Sequence, residues 1–194
     1  MATARLRTDR LDLEPVSPAH AEEMVDLLAD RALYAFYDDE ASPSLDELRA
    51  RYSRWAAGGS PDGTETWCTW IARERSSSTC VGFVQATVGR VERTGELAWV
   101  IGTAYQGQGC AREAAAAVRD AVLSGSHLDP PGLAVATVLA HIAPGNAASE
   151  SVARAIGLEP TDDLDPDGER IWRLPADPAS RDRAAGISTS RDRA

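Results

Sequence analysis

Residues 105–113 read Y-Q-G-Q-G-C-A-R-E, between the apolar run 97–101 and an Ala/Val-rich segment with helical spacing. Gly107 and Gly109 let the backbone turn tightly and approach a ligand with no Cβ in the way. Amide N–H groups left free at a helix start, together with the macrodipole, favour an anion there. A pyrophosphate suits such a loop, and a glycine-rich strand-to-helix turn that binds nothing is the alternative an isolated G-x-G leaves open. A dinucleotide fingerprint would need a third Gly or Ala where Arg112 stands, and an acid closing the next strand, where the chain has Ala140 and His141. A Walker loop would need Gly-Lys-Ser/Thr, and no such triplet occurs. Both nucleotide readings weaken.

The elements that must position this loop belong to a chain of 194 residues, 43% hydrophobic, which suffices for one full core. The formal charge of -10, with no basic stripe, argues against a nucleic-acid surface and weakly favours a cationic substrate. Cys68, Cys80 and Cys110 are odd in number and lack metal-ligand spacing, so neither a disulfide framework nor a metal site is expected. The first ten residues lack an apolar leader core, and no apolar run approaches 18 residues, which predicts a cytoplasmic protein with no membrane partner.

Leu6, Leu11 and Leu13 among polar residues suggest an opening strand halted by Pro15. A helix follows Ser17 and Pro18, with Ala21, Met24, Val25 and Leu28 as its stripe. A second begins at the Ser44/Glu47 capping box and ends at Gly58 and Gly59. Residues 67–74, 81–92 and 96–101 read as an antiparallel meander. A helix over about 109–123 stops at Gly125, and the apolar run 133–142 fits a strand buried on both faces. Residues 147–155 form a short helix and 169–174 a last strand. After Pro175 the chain is polar and repeats S-R-D-R-A at 180–184 and 190–194, so 1–175 is expected to be the folded domain and 176–194 a disordered tail.

This order, with three motifs, resembles the GNAT N-acetyltransferases, and within them the branch of ribosomal-protein N-terminal acetyltransferases of the RimJ/RimL type. The opening T-D-R-L-D-L-E-P-V at 8–16 looks like that branch's first strand. The loop Gln106, Gly107, Gln108, Gly109, Cys110, Ala111 is similar to the family's acyl-CoA motif. Asn146, Ser149, Val152, Gly157 and Leu158 resemble the branch's N-x-x-S-x-x-V pattern with its closing Gly-Phe, here Gly-Leu.

The resemblance implies an α+β fold in which a mostly antiparallel sheet of about six to seven strands, its central strands splayed, is flanked by about four helices. It implies acetyl-CoA, or another acyl-CoA, as co-substrate and no metal. The pyrophosphate would lie on the amides of 106–111, Asn146 and Ser149 would also belong to the CoA site, and the pantetheine arm would pair with the edge carrying Val100 and Ile101. The partners would be the CoA thioester and an amine acceptor, a small molecule or a protein N-terminus, with room for a homodimer. Thr103 and Cys110 depart mildly from the branch. Ala153 stands where many members carry a tyrosine that protonates the leaving thiolate, so that route is closed here.

Amine acylation needs a neutral nucleophile and hence a proton acceptor. Glu96 is the first candidate, by its place in the resemblance, against the alternative of a solvated turn residue; His141 is the second, against a structural histidine. Ser149 is the expected partner of the leaving thiolate, with helix-start hydrogen bonding as the alternative for both Ser149 and Asn146. Cys110 sits where phosphate should go and has no histidine near it in sequence, which argues against covalent catalysis. A non-catalytic acyl-CoA-binding or regulatory module on the same fold is the other functional reading.

Overall fold

The computed structural model of the chain describes residues 3–36, 42–126 and 134–175. The expected tail, 176–194, and the start of the 133–142 strand lie outside the described residues.

Among the described residues, eight strands form one sheet in the order β1-β2-β3-β4-β5-β6-β8-β7. They are β1 (Leu6–Arg7), β2 (Leu11–Pro15), β3 (Glu65–Glu74), β4 (Cys80–Gly89), β5 (Thr94–Ile101), β6 (Thr137–Ile142), β7 (Glu159–Leu164) and β8 (Arg170–Arg173). The helices are α1 (Ala21–Leu28), α2 (Leu45–Ala56), α3 (Cys110–Ser124) and α4 (Ala147–Ala155). The strand count exceeds the expected six to seven at two places. The opening strand is a hairpin, because Thr8 turns the chain by bonding Leu11 O through both its N–H and its hydroxyl. The strand β7, E-P-T-D-D-L, was missed because it is an exposed acidic edge with no apolar alternation.

Local chemistry explains the helices. Ser44 and Glu47 cap α2 reciprocally, with Ser44 N donating to Glu47 Oε2 at 2.8 Å. Gly109 and Gly125 bound α3, both with left-handed backbone (φ of 82° and 64°).

Alternation along the strands builds two cores. Trp70, Ala72, Val84, Ala86 and Leu97 face Ala114, Ala115, Val118 and Val122 of α3. Ile71 and Cys80 face Met24, Leu28, Leu48 and Tyr52 of α1 and α2 on the other side. The contacts of α1 and α2 fall on β3 and β4, and farther along that face Leu139 and His141 are only partly covered. The strand β6 therefore alternates buried and half-buried positions and is not enclosed on both faces as its apolar run suggested. No helix among the described residues is long and apolar enough to cross a membrane.

Close approach of β4 to β5 depends on Gly82, where a Cβ would lie 2.1 Å from Val100 O and 2.9 Å from Ile101 Cα. Gly82→Ala must push β5 outward, and we expect a loss of about 1–3 kcal/mol, read as a melting temperature lower by about 2–4 °C per kcal/mol.

Candidate active site

The strands β5 and β6 run parallel and pair only at Thr94↔Thr137, Gly95↔Val138 and Glu96↔Leu139. Beyond Glu96 they part, β5 staying with β4 as far as Gly82↔Ile101 and β6 turning to β8 through Ile142↔Arg170. The splay expected from the family resemblance is present. It leaves the backbone of β5 over 97–101 without a strand on the side facing the gap, an edge that an extended ligand can join.

At the end of that edge a short turn, Thr103–Tyr105, leads into the loop. The Gln106 amide donates to Thr103 O and its side chain to Ile101 O at 2.9 Å. Gly107 (φ 73°) and Gly109 (φ 82°) then bring the chain onto the start of α3, where Cys110, Ala111 and Arg112 present first-turn N–H groups that have no acceptor within the helix. A Cβ on Gly107 would meet nothing within 4 Å, whereas one on Gly109 would lie 3.3 Å from Arg10 Nη2 and 3.9 Å from Arg112 Nη2.

Arg10 braces this loop. Its Nη1 donates to Gln108 O at 2.9 Å, and its Nε to Glu113 Oε2 at 2.7 Å. Glu113 also accepts from Thr8 Oγ1 and Arg10 N. Burial pushes the Glu113 carboxyl up, and these hydrogen bonds together bring it below the ordinary glutamate range. Burial also pushes the Cys110 thiol up, against the pull of Arg10, which keeps it protonated and weakly nucleophilic.

Two cavities open along the gap. The larger, about 600 Å³, runs from Phe36 and Trp99 past Val100 and Ile101 to the loop residues 105–112, a size suited to a cofactor-scale ligand. The smaller recess, about 60 Å³, lies between the parted strands and is lined by Ala98, Trp99, His141, Asn146, Ser149 and Glu169, among others. Phe36, Trp99, Asn146 and Ser149 line both. The loop, the parted edge and the start of α4 thus bring ten of the expected site residues (Val100, Ile101, Gln106, Gly107, Gln108, Gly109, Cys110, Ala111, Asn146 and Ser149) around one cavity.

Asn146 caps α4, its Oδ1 accepting from Ser149 N at 3.1 Å. The Ser149 hydroxyl is half-buried, borders both cavities and has no hydrogen-bond partner among the described residues. The two candidate bases differ in setting. Glu96 is exposed on β5 at the closed end of the splay and lines neither cavity. His141 lines the recess, and its Nδ1 lies 2.7 Å from Asp165 Oδ2.

Asp165 and Glu169 escaped sequence reading. They are the end residues of the turn D-P-D-G-E between β7 and β8, where Asp167-Gly168 is the local sequence signal that could have indicated a hairpin. Burial pushes the Asp165 carboxyl up, and hydrogen bonds from Glu169 N, His141 and Asp167 N carry it below the ordinary range. Burial pushes Glu169 up, and Asp165 nearby adds to this. The ligand atoms of His141, Asp165 and Glu169 lie within 4.8 Å of one another, but Asp165 is already engaged by the His141 ring and two backbone N–H groups.

This geometry agrees with the comparisons. The model of the acetyltransferase (GNAT) domain family matches residues 10–159. A GNAT-family acetyltransferase from Bacillus anthracis superposes with a TM-score of 0.70 at 17% identity, covering 88% of this chain and 98% of that one. Spermidine N-acetyltransferase from Vibrio cholerae, solved with CoA and spermine, gives 0.66 at 17% identity, covering 86% and 94%. RimL, the ribosomal L7/L12 alpha-N-protein acetyltransferase solved with coenzyme A, gives 0.67 at 12% identity, covering 88% and 95%. A search of the curated proteins finds no match. At such identities the structures attest the fold, and the family model attests the family: the chain belongs to the GNAT acetyltransferases.

Proposed function

We propose that the protein transfers an acetyl group from acetyl-CoA to a primary amine by direct attack in a ternary complex. The observation that carries this reading is the meeting of the two cavities at Trp99, Asn146 and Ser149. The large cavity accounts for the donor: the glycine loop and first turn of α3 would hold the pyrophosphate, and the open β5 edge the pantetheine arm. The recess accounts for the acceptor, since it shares Trp99, Asn146 and Ser149 with the large cavity and is walled by His141 and Glu169.

In this arrangement the His141 ring removes the proton from the incoming ammonium, whose nitrogen then attacks the thioester carbonyl. The second proton that the nitrogen sheds as the tetrahedral intermediate collapses goes to the departing CoA thiolate, to which the Ser149 hydroxyl donates a hydrogen bond. Glu96, whose charge reaches Glu169, contributes negative potential that favours a cationic acceptor. A small cationic amine and a protein N-terminus both meet these requirements, and neighbours of the same fold act on one or the other.

Direct transfer is tested by initial-rate kinetics with any amine that serves as acceptor. Intersecting double-reciprocal lines are expected, and Cys110→Ala is expected to keep kcat within about twofold, because a buried, protonated thiol has no part in an acyl-enzyme route. Parallel lines, with activity lost in Cys110→Ala, would overturn the ternary-complex reading.

A further inference from the structure

We infer that Asp165 is a positioning residue that selects the catalytic tautomer of His141. This rests on the reading of His141 as the proton acceptor. His141 is on β6 and Asp165 at the tip of the β7–β8 hairpin, 24 residues later, so the pairing exists only because the fold returns the hairpin beside β6.

The carboxylate is fixed in orientation. Its Oδ1 accepts from the N–H groups of Asp167 and Glu169, each at 2.9 Å, and its Oδ2 is left to the imidazole at 2.7 Å. An ionised carboxylate only accepts, so neutral His141 must carry its proton on Nδ1. Its Nε2 then holds a lone pair, and no partner for Nε2 occurs among the described residues. That is the tautomer able to take a proton from an amine in the recess the ring lines. The side chain of Asp165 is only 8% exposed, against 25% for His141, so water competes poorly for their bond. Glu169, which lines the recess beside the ring, feels the charges of Asp165, His141 and Asp167 and, from β5, of Glu96. Of these carboxylates, Asp165 is the one bonded to the ring.

The isosteric change Asp165→Asn separates this role from a structural one. The two backbone N–H groups hold the amide oxygen at the Oδ1 place, which puts the amide nitrogen opposite His141 Nδ1. That nitrogen donates, Nδ1 must accept, and the proton moves to Nε2, where it blocks proton uptake. The hairpin turn is kept, so the variant should fold.

The experiment is ¹⁵N NMR of the imidazole nitrogens in the whole protein, paired with kcat for acetyl transfer. Wild type is expected to show neutral His141 protonated at Nδ1, and Asp165→Asn to show it at Nε2, with kcat lower by about 100-fold and KM little changed. Asp165→Glu, which retains a carboxylate, is expected to restore the Nδ1 proton in part and some of the rate. Wild-type His141 protonated at Nε2, or an unchanged tautomer and rate in Asp165→Asn, would overturn the positioning role. If those results came with a large rate loss in His141→Gln, the base reading would survive alone; full activity in His141→Gln would remove both.

Discussion

Gly109→Asp is expected to abolish the thermal stabilisation that CoA should give the wild-type protein. CoA at a hundredfold over its dissociation constant should stabilise the folded state by about 2.7 kcal/mol, a rise of about 5–10 °C in melting temperature for a domain of this size. Two effects of the substitution act together. Gly109 has a φ of 82°, where a side chain costs about 1–2 kcal/mol. The new carboxylate also enters among the first-turn N–H groups of α3 and beside Arg10 and Arg112, where it takes up the positive potential that a pyrophosphate would use. The Cβ itself points at the two guanidinium groups and not into open space, so competition for charge, more than steric contact with the ligand, is the expected cause. Gly109→Ala supplies the strain without the charge and should keep part of the shift. A full CoA shift in Gly109→Asp would refute the placement of the pyrophosphate on this loop.

His141→Gln is expected to lower kcat by about 100-fold or more while leaving the CoA shift intact, since a positioned base contributes on that order and the ring lines the recess rather than the larger cavity. Ser149→Ala should cost about 10–100-fold, the worth of one hydrogen bond to a developing anion. Glu96→Gln should change kcat little and raise KM for cationic acceptors, because Glu96 is exposed at the closed end of the splay. Steady-state kinetics on the three variants decides the matter. A Glu96→Gln enzyme crippled in kcat beside an unaffected His141→Gln would move the base from β6 to β5.

What sequence reading could reach was what neighbouring residues determine. The Ser44/Glu47 box and the glycines bounding α3 act over three or four positions, and each helix they predicted is present, while Asn146 makes the helix-start bond weighed as its alternative role. The loop and the first turn of α4 were placed in one CoA site by the family resemblance. Two things lay beyond local pattern. The strand β7 is acidic and exposed because it is an edge, and an edge needs no apolar face to be held by its neighbour. The His141–Asp165 bond joins two residues whose sequence contexts give no sign of each other, and it is visible only when the hairpin closes on β6. The recess proposed for the acceptor was obscure for this reason: its walls come from Phe36, β5, β6, the start of α4 and the end of the last hairpin, assembled by sheet topology.

The most direct measurement is thiol release from acetyl-CoA by the purified protein against a panel of polyamines, amino acids, aminoglycosides and N-terminal peptides. Release that depends on an added amine, with the acetylated amine identified by mass, is the predicted result. A protein whose melting temperature rises with CoA and which releases no thiol with any amine in the panel would contradict the acetyltransferase account, and would describe a module that only binds acyl-CoA.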